Sequence, residues 1–155
     1  MKEEFPSAAQ PRWNWIIAGL LVLLSFASYG TVLTKGGWIW DDDQYVLGNL
    51  TVQEPGRFAD IWFDESANPQ YYPLVYSSFR LESILVKEEG NFDLARPDLD
   101  ATLFHFDNIL IFALTVLLFW RVLQRLRIPG ALIGAALFAV HPVNVESVAW
   151  ITGRK

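Results

Sequence analysis

Apolar residues in this chain are gathered into long blocks rather than mixed with polar ones along its length. The first block runs from Trp13 to Leu33, WNWIIAGLLVLLSFASYGTVL, without a charged side chain. At about 1.5 Å per helical residue it reaches about 30 Å, the thickness of a bilayer's hydrocarbon core. The second block, Leu103 to Leu123, is most apolar between Asn108 and Trp120, with His105 and Asp107 confined to its beginning. The third opens at Ile128 as IPGALIGAALFAV and ends near Val140, because Pro142 disfavours helical geometry at His141. It is short for a span, and a second, re-entrant or interfacial helix is expected to start at Pro142. A signal peptide is the rival reading of the first block, since Lys2 and Arg12 precede it. The apolar stretch is long for that, and no good small-x-small cleavage site follows.

These blocks predict an all-α membrane protein with about three transmembrane helices, at residues 13–33, 103–123 and 128–140. They leave an N-terminal segment 1–12, a connection 34–102 and a final stretch 141–155. The connection is too long for a bare loop. Within it Leu74, Ser78, Leu81 and Leu85 recur at helical spacing, widened by Val75, Phe79 and Ile84, while Arg80, Glu82 and Lys87 are polar. An amphipathic helix ending at Gly90 is expected, and a shorter one over Phe58, Ile61 and Trp62, both resting on the membrane surface. Residues 88–100 read as a solvated loop.

Charge then orients the blocks. The turn between the second and third carries Arg121, Arg125 and Arg127 and no acid, so the positive-inside rule places it in the cytoplasm. Residues 1–12 are then cytoplasmic too, and residues 34–102 and 141–155 emerge together on the outer face. Topology thereby gathers Asp41, Asp42, Asp43, His105, Asp107, His141 and Glu146 at one membrane surface. The composition agrees: 52% of residues are hydrophobic, and seven tryptophans and five tyrosines suit the headgroup region. A net charge of -5 argues against a nucleic-acid surface, and the lack of cysteine excludes disulfides and thiolate chemistry.

Two clusters carry candidate chemistry. Asp41, Asp42 and Asp43 repel one another, which raises the pKa of at least one unless cations or donors compensate. One of them could accept a proton from an acceptor hydroxyl during group transfer, and the cluster could help bind a divalent cation through oxygen ligands. A solvated turn after a membrane helix accounts for the same residues. In HPVNVE, His141 and Glu146 sit at an interfacial break, where they could bind a phosphorylated headgroup or act as acid and base. A helix terminus facing water would read the same way. Arg80, Arg154 and Lys155 could pair with a phosphate, or be ordinary surface charges. Asp107 near a helix N-terminus is explained by the macrodipole. Asn49-Leu50-Thr51 matches a glycosylation sequon. A zinc site from His105 and His141 would need further ligands that the sequence does not identify.

WDDDQYV after the first block, QYYPLVYSSFRLE in the connection and FHFDNIL opening the second block are followed by FWRVLQRLRIPGALIGAALFAVHPVNVESVAWITGRK. In that order, over roughly residues 38–155, they resemble the N-terminal region of bacterial membrane proteins with C-terminal tetratricopeptide repeats. These are similar to the eukaryotic transmembrane and tetratricopeptide-repeat O-mannosyltransferases and, more widely, to GT-C glycosyltransferases. The resemblance implies an inverting transferase of the bacterial inner membrane. It would move a sugar from a polyprenyl-phosphate carrier to a protein or glycan acceptor on the non-cytoplasmic side, with no certain cofactor. It implies Asp41 and Asp42 as the acidic pair, one of them the base. Asp43, Arg80, His141, Asn144 and Glu146 are the implied substrate contacts. Phe112 stands where the family often has histidine, and residues 87–100 are more acidic than the usual connection. Further spans and repeats are expected after Lys155, so these 155 residues are expected to be inactive alone. The competing expectation is a non-enzymatic anchor or scaffold presenting a repeat domain.

Overall fold

The computed structural model describes residues 13–86 and 100–154, and among them every regular element is helical. The helices are α1 (Trp13–Tyr29), α2 (Val32–Lys35), α3 (Leu50–Gln53), α4 (Phe58–Phe63), α5 (Pro73–Val86), α6 (Thr102–Arg125), α7 (Ala131–Val140) and α8 (Val145–Ala149). A π-helical turn covers Asp43–Leu47, and 3-10 turns cover Pro142–Asn144 and Ile151–Arg154. The expected N-terminal segment 1–12, the helix end at Gly90, the loop before Asp100 and Lys155 lie outside the described residues.

Two segments, Asn14–Lys35 and Thr102–Arg125, are long and apolar enough to cross a membrane. A third crossing is made only if α7 and the segment Pro142–Ala149 count as one span, with a 50° bend between them. Alone, the ten residues of α7 reach about 15 Å, half a hydrocarbon core. The bend falls at the expected proline. His141 has extended backbone, and its ring Nδ1 accepts the Val143 N–H at 3.2 Å, capping the next turn. The Asn144 amide donates to the Phe138 carbonyl at 2.8 Å, which also accepts the His141 N–H at the end of α7.

α1, α6 and α7 pack around Leu21, Ile109, Phe112, Val116 and Trp120, with Ala135 and Ala139 buried on α7. Small residues at that seam let the backbones approach, which drives packing where lipid removes the hydrophobic effect between helices. Leu20, Leu23, Leu114, Leu118, Ile133 and Leu137 face outward, as lipid contact requires. At the arginine turn the Ile128 N–H closes back on the Leu123 carbonyl at 3.0 Å while Arg127 takes φ 55°. A left-handed residue after a helix is usually glycine, and arginine there costs on the order of 1–2 kcal/mol.

Residues 36–86 fold as a head on the end of the bundle where α6 begins. Its core joins Val46, Val52, Ile61, Tyr76 and Phe79 to Phe104 in the first turn of α6. On α5 the exposed leucines agree with the expected amphipathic helix, and what the sequence reading lacked is the burial of the polar arc. Arg80, Glu82 and Ser83 are buried with Tyr76 and Phe79, whereas Leu74, Leu81, Ile84 and Leu85 are 57–75% exposed. The polar arc turns inward because its partners are inside: Arg80 meets two backbone carbonyls, and Glu82 meets Arg154.

The sequon is part of this head. Asn49 is buried, and its Oδ1 accepts the N–H groups of Thr51 at 2.9 Å and Val52 at 3.4 Å, capping α3. Its Nδ2 donates to Asn68 Oδ1 at 3.0 Å. Both ends of the amide are therefore engaged. In a glycosylating host, endoglycosidase treatment should leave the electrophoretic mobility of the folded protein unchanged at this site. Asn49→Ala should lower stability by about 1 kcal/mol through loss of the cap.

Candidate functional site

The loop that follows α2 is pressed against α6. A Cβ at Gly36 would lie 2.4 Å from the Val32 carbonyl and 2.6 Å from His105 Nε2, so only glycine allows this approach. Four residues later Trp40 adopts φ 53°, a left-handed conformation that is strained for tryptophan. Two contacts hold it there. The Trp40 ring meets Trp150 edge to face at 5.0 Å, and Asp42 Oδ2 accepts the Ile39 N–H at 3.0 Å. Strain directly before an acidic pair is a pointer to function, because such conformations persist where their surroundings over-determine them.

The three adjacent acids have different fates. Asp42 is 0% exposed. Besides Ile39 it accepts the Thr152 N–H on Oδ1 at 3.1 Å. Asp41 is half-buried, and its Oδ1 accepts the Thr152 hydroxyl at 3.2 Å. Asp43 is exposed and accepts the Gln44 N–H at 2.7 Å. Thr152, itself fully buried, thus bridges the two acids from the far end of the chain. These hydrogen bonds tie both carboxylates to the turn around Thr152. They lock Asp42 inside the fold and leave Asp41 both held and accessible. His105 is buried beneath the loop, beside Gly36 and within electrostatic reach of Asp42.

A second cluster lies behind the pair. The Arg154 side chain is 5% exposed and bonds to Glu82, to Asp107 Oδ2 at 2.9 Å, to Ser78 Oγ at 3.0 Å and to the Phe104 carbonyl at 3.0 Å. Its guanidinium also lies over the Phe79 ring, 4.6 Å from the centroid. Two carboxylates face one cation. Burial pushes the Glu82 carboxyl up to about 8, with Arg154 opposing and the Asp107 carboxylate adding to the rise. One proton on Glu82 makes the cluster neutral. A carboxyl whose folded pKa is raised contributes stability that is complete below its ordinary value of 4.5 and is lost as pH climbs through about 8. The melting temperature in detergent should therefore fall between those limits, and Glu82→Gln should flatten the slope. A wild-type profile flat across that range would refute the protonated Glu82.

The remaining predicted contacts are placed as follows. Arg80 is buried, and its Nη1 donates to the carbonyls of Thr51 and Glu54, both at 2.7 Å, so it secures the end of α3. Burial lowers its pKa. His141, Asn144 and Glu146 lie on and around the bend after α7, with His141 and Glu146 exposed. His141 Nδ1 and the Asn144 amide make local contacts, and the Tyr29 hydroxyl reaches the bend from α1, donating to the His141 carbonyl at 3.0 Å and also meeting the Asn144 side chain. From this bend α8 leads to Trp150 and so to the acid loop. Among the described residues no group of three histidine, aspartate or glutamate side chains converges in a way that could hold a metal ion.

Sequence reasoning missed Thr152, and it read Arg154 as a phosphate partner or ordinary surface charge and Asp107 as a macrodipole residue. A signal existed for Arg154: Glu82 and Asp107 lie among apolar residues, and a carboxylate there needs a cation. No spacing rule points from Asp42 to Thr152.

No family model matches the chain, and no solved structure matches it. Curated proteins do. It is 28% identical to the protein O-mannosyl-transferase TMTC4 of Mus musculus over 96% of its length. It is 32% identical to TMTC1 of Mus musculus over 98%, and 29% identical to Tmtc1 of Drosophila melanogaster over 84%. The matches take in only 22%, 16% and 15% of those relatives, so the chain spans about a fifth or less of their length.

Proposed function

Because this chain is TMTC-like, related over nearly its whole length to protein O-mannosyl-transferases, we propose that it forms the acceptor-activating part of an integral-membrane glycosyltransferase. The donor is a sugar on a polyprenyl-phosphate carrier, a mannose if the relatives' name carries over. The acceptor is a protein hydroxyl on the side of the membrane opposite the arginine turn. Asp41 is the base. It takes the hydroxyl proton as the acceptor oxygen bonds to the anomeric carbon. The bond from that carbon to the carrier phosphate breaks, and its electron pair leaves with the polyprenyl phosphate. Asp42 and Thr152 are positioning residues: they hold the loop, and Thr152 hydrogen-bonds the Asp41 carboxylate. Asp43, His141, Asn144 and Glu146 are the donor-side candidates at the same end of the bundle. Arg80 is not among them, since two carbonyls already take its guanidinium.

The observation that carries this reading is the division of labour in the acidic pair. Asp42 is sealed into the fold, and Asp41 just before it is half-buried on a strained loop. The reading needs Asp43 and the bend after α7 to share a compartment. Asp43→Cys and Val143→Cys, both at exposed positions, should react with a membrane-impermeant maleimide in intact cells. Arg127→Cys should react only after permeabilisation. Labelling of positions 43 and 143 from opposite sides would end the proposal, because the acids and the bend could not serve one substrate.

A further inference from the structure

The arginines of the described residues fall into two groups. At the head, Arg57 pairs with Glu54 and Asp60, Arg80 donates to two carbonyls, and Arg154 holds Glu82 and Asp107. At the other end of the bundle, the guanidinium groups of Arg121, Arg125 and Arg127 have no hydrogen bond or ion pair among the described residues. All three side chains are exposed. A groove of about 250 Å³ between α1 and α6 opens beside the first of them. Asn14, Trp15 and Ala18 form one wall, and Leu117, Trp120 and Arg121 form the other. The transferase reading uses none of these residues.

We propose that this groove binds an anionic glycerophospholipid from the leaflet that meets the arginine turn. Depth is the first argument. α6 has 24 residues, about 36 Å against a hydrocarbon core of about 30 Å, so its last turn reaches headgroup depth. Arg121 lies one turn before that end, and its long side chain extends to the phosphate layer. Arg125 follows it on the same face, four residues on. One turn deeper, Ala18 and Leu117 offer an acyl chain an apolar wall. Trp15, 84% exposed, stands at the mouth, where an amphipathic ring suits the interface.

Charge is the second argument, and it selects the headgroup. Neither residues 13–33 nor residues 108–140 include an acid. A zwitterionic lipid brings an ammonium or choline group, and these helices have no carboxylate to receive it. An anionic lipid brings its phosphate without that cation. The phosphate accepts from Arg121, with the Asn14 amide as a second donor across the groove. The site lies at the end of the bundle away from the acid loop, so it would survive failure of the transferase reading.

The test uses the protein in phosphatidylcholine nanodiscs with a trace of photoreactive lipid, either phosphatidylglycerol or phosphatidylcholine with the same acyl chains. Phosphatidylglycerol should label peptides containing residues 14–18 or 117–121 about fivefold more strongly, the selectivity expected of one arginine at headgroup depth. Arg121→Gln should remove that preference. Arg127→Gln, outside the groove, should leave it within about twofold of wild type. Both variants replace exposed side chains without partners, so both should melt with the wild type. Equal labelling by the two lipids would overturn the proposal. Equal losses from the two variants would do so as well, because they would mean a diffuse surface charge. A preference that emerges only in Glu3→Gln/Glu4→Gln would assign Arg121 to acids of the chain's own N-terminal segment, and would also overturn it.

Discussion

Arg154→Met is expected to lower stability by about 3–5 kcal/mol, the usual cost of removing one member of a buried ion cluster. The side chain is almost wholly enclosed, and it ties α5 to α6 through Glu82 and Asp107 while covering the Phe79 ring. Without it, two carboxyl groups face each other with a single proton to share, and the Phe104 carbonyl loses the donor it has from outside its own helix. For a chain of this size that is a drop in melting temperature on the order of 10 °C. The double variant Arg154→Met/Glu82→Gln should recover part of the loss, because it removes one of the stranded acids. The measurement is thermal unfolding of the three proteins in one detergent. A single variant melting within a degree of wild type would mean that the cluster is not a determinant of the head's attachment.

In the full-length protein, Asp41→Asn should cut sugar transfer by about 10²–10⁴-fold, the range expected for loss of a general base. Expression and melting temperature should stay near wild type, since asparagine can still accept the Thr152 hydroxyl. Asp42→Asn should behave differently. It is sealed in the fold and accepts N–H groups on both oxygens, and an amide offers only one acceptor. Hydrogen bonds to a charged group are worth about 1.5–3 kcal/mol, so Asp42→Asn should lose stability as well as activity. The separating measurement is activity per folded molecule beside a melting curve. Wild-type transfer by Asp41→Asn would remove the base from the mechanism. Wild-type stability of Asp42→Asn would remove the distinction between the two acids.

How far each feature was legible follows from the range of the interactions behind it. The spans at Trp13 and Thr102, the short helix over Phe58–Phe63 and the break before Pro142 are local properties, set by hydropathy, helical spacing and the steric reach of one proline. The resemblance to O-mannosyltransferases was equally open to reading, and relatives matched over nearly the whole chain bear out that part of it.

The inward face of α5 was not readable. In a soluble protein the apolar arc of a helix marks the core, but a membrane protein offers apolar surroundings on both sides. Leu74, Leu81 and Leu85 suit a membrane surface, and they do not say whether Arg80 and Glu82 on the other arc meet water or protein. What decided it was where Arg80 and Glu82 found partners, and those partners come from α3 and from Arg154. The same holds for the candidate site. Local pattern alone determined the apolar helices, the bend and the presence of three adjacent acids. Only the tertiary structure decided that Asp42 is locked, that Asp41 is held at the surface and that Asn49 is a cap. A buried polar group must be matched by whatever the fold brings beside it, and here Thr152 and Asn68 are brought from distant parts of the chain.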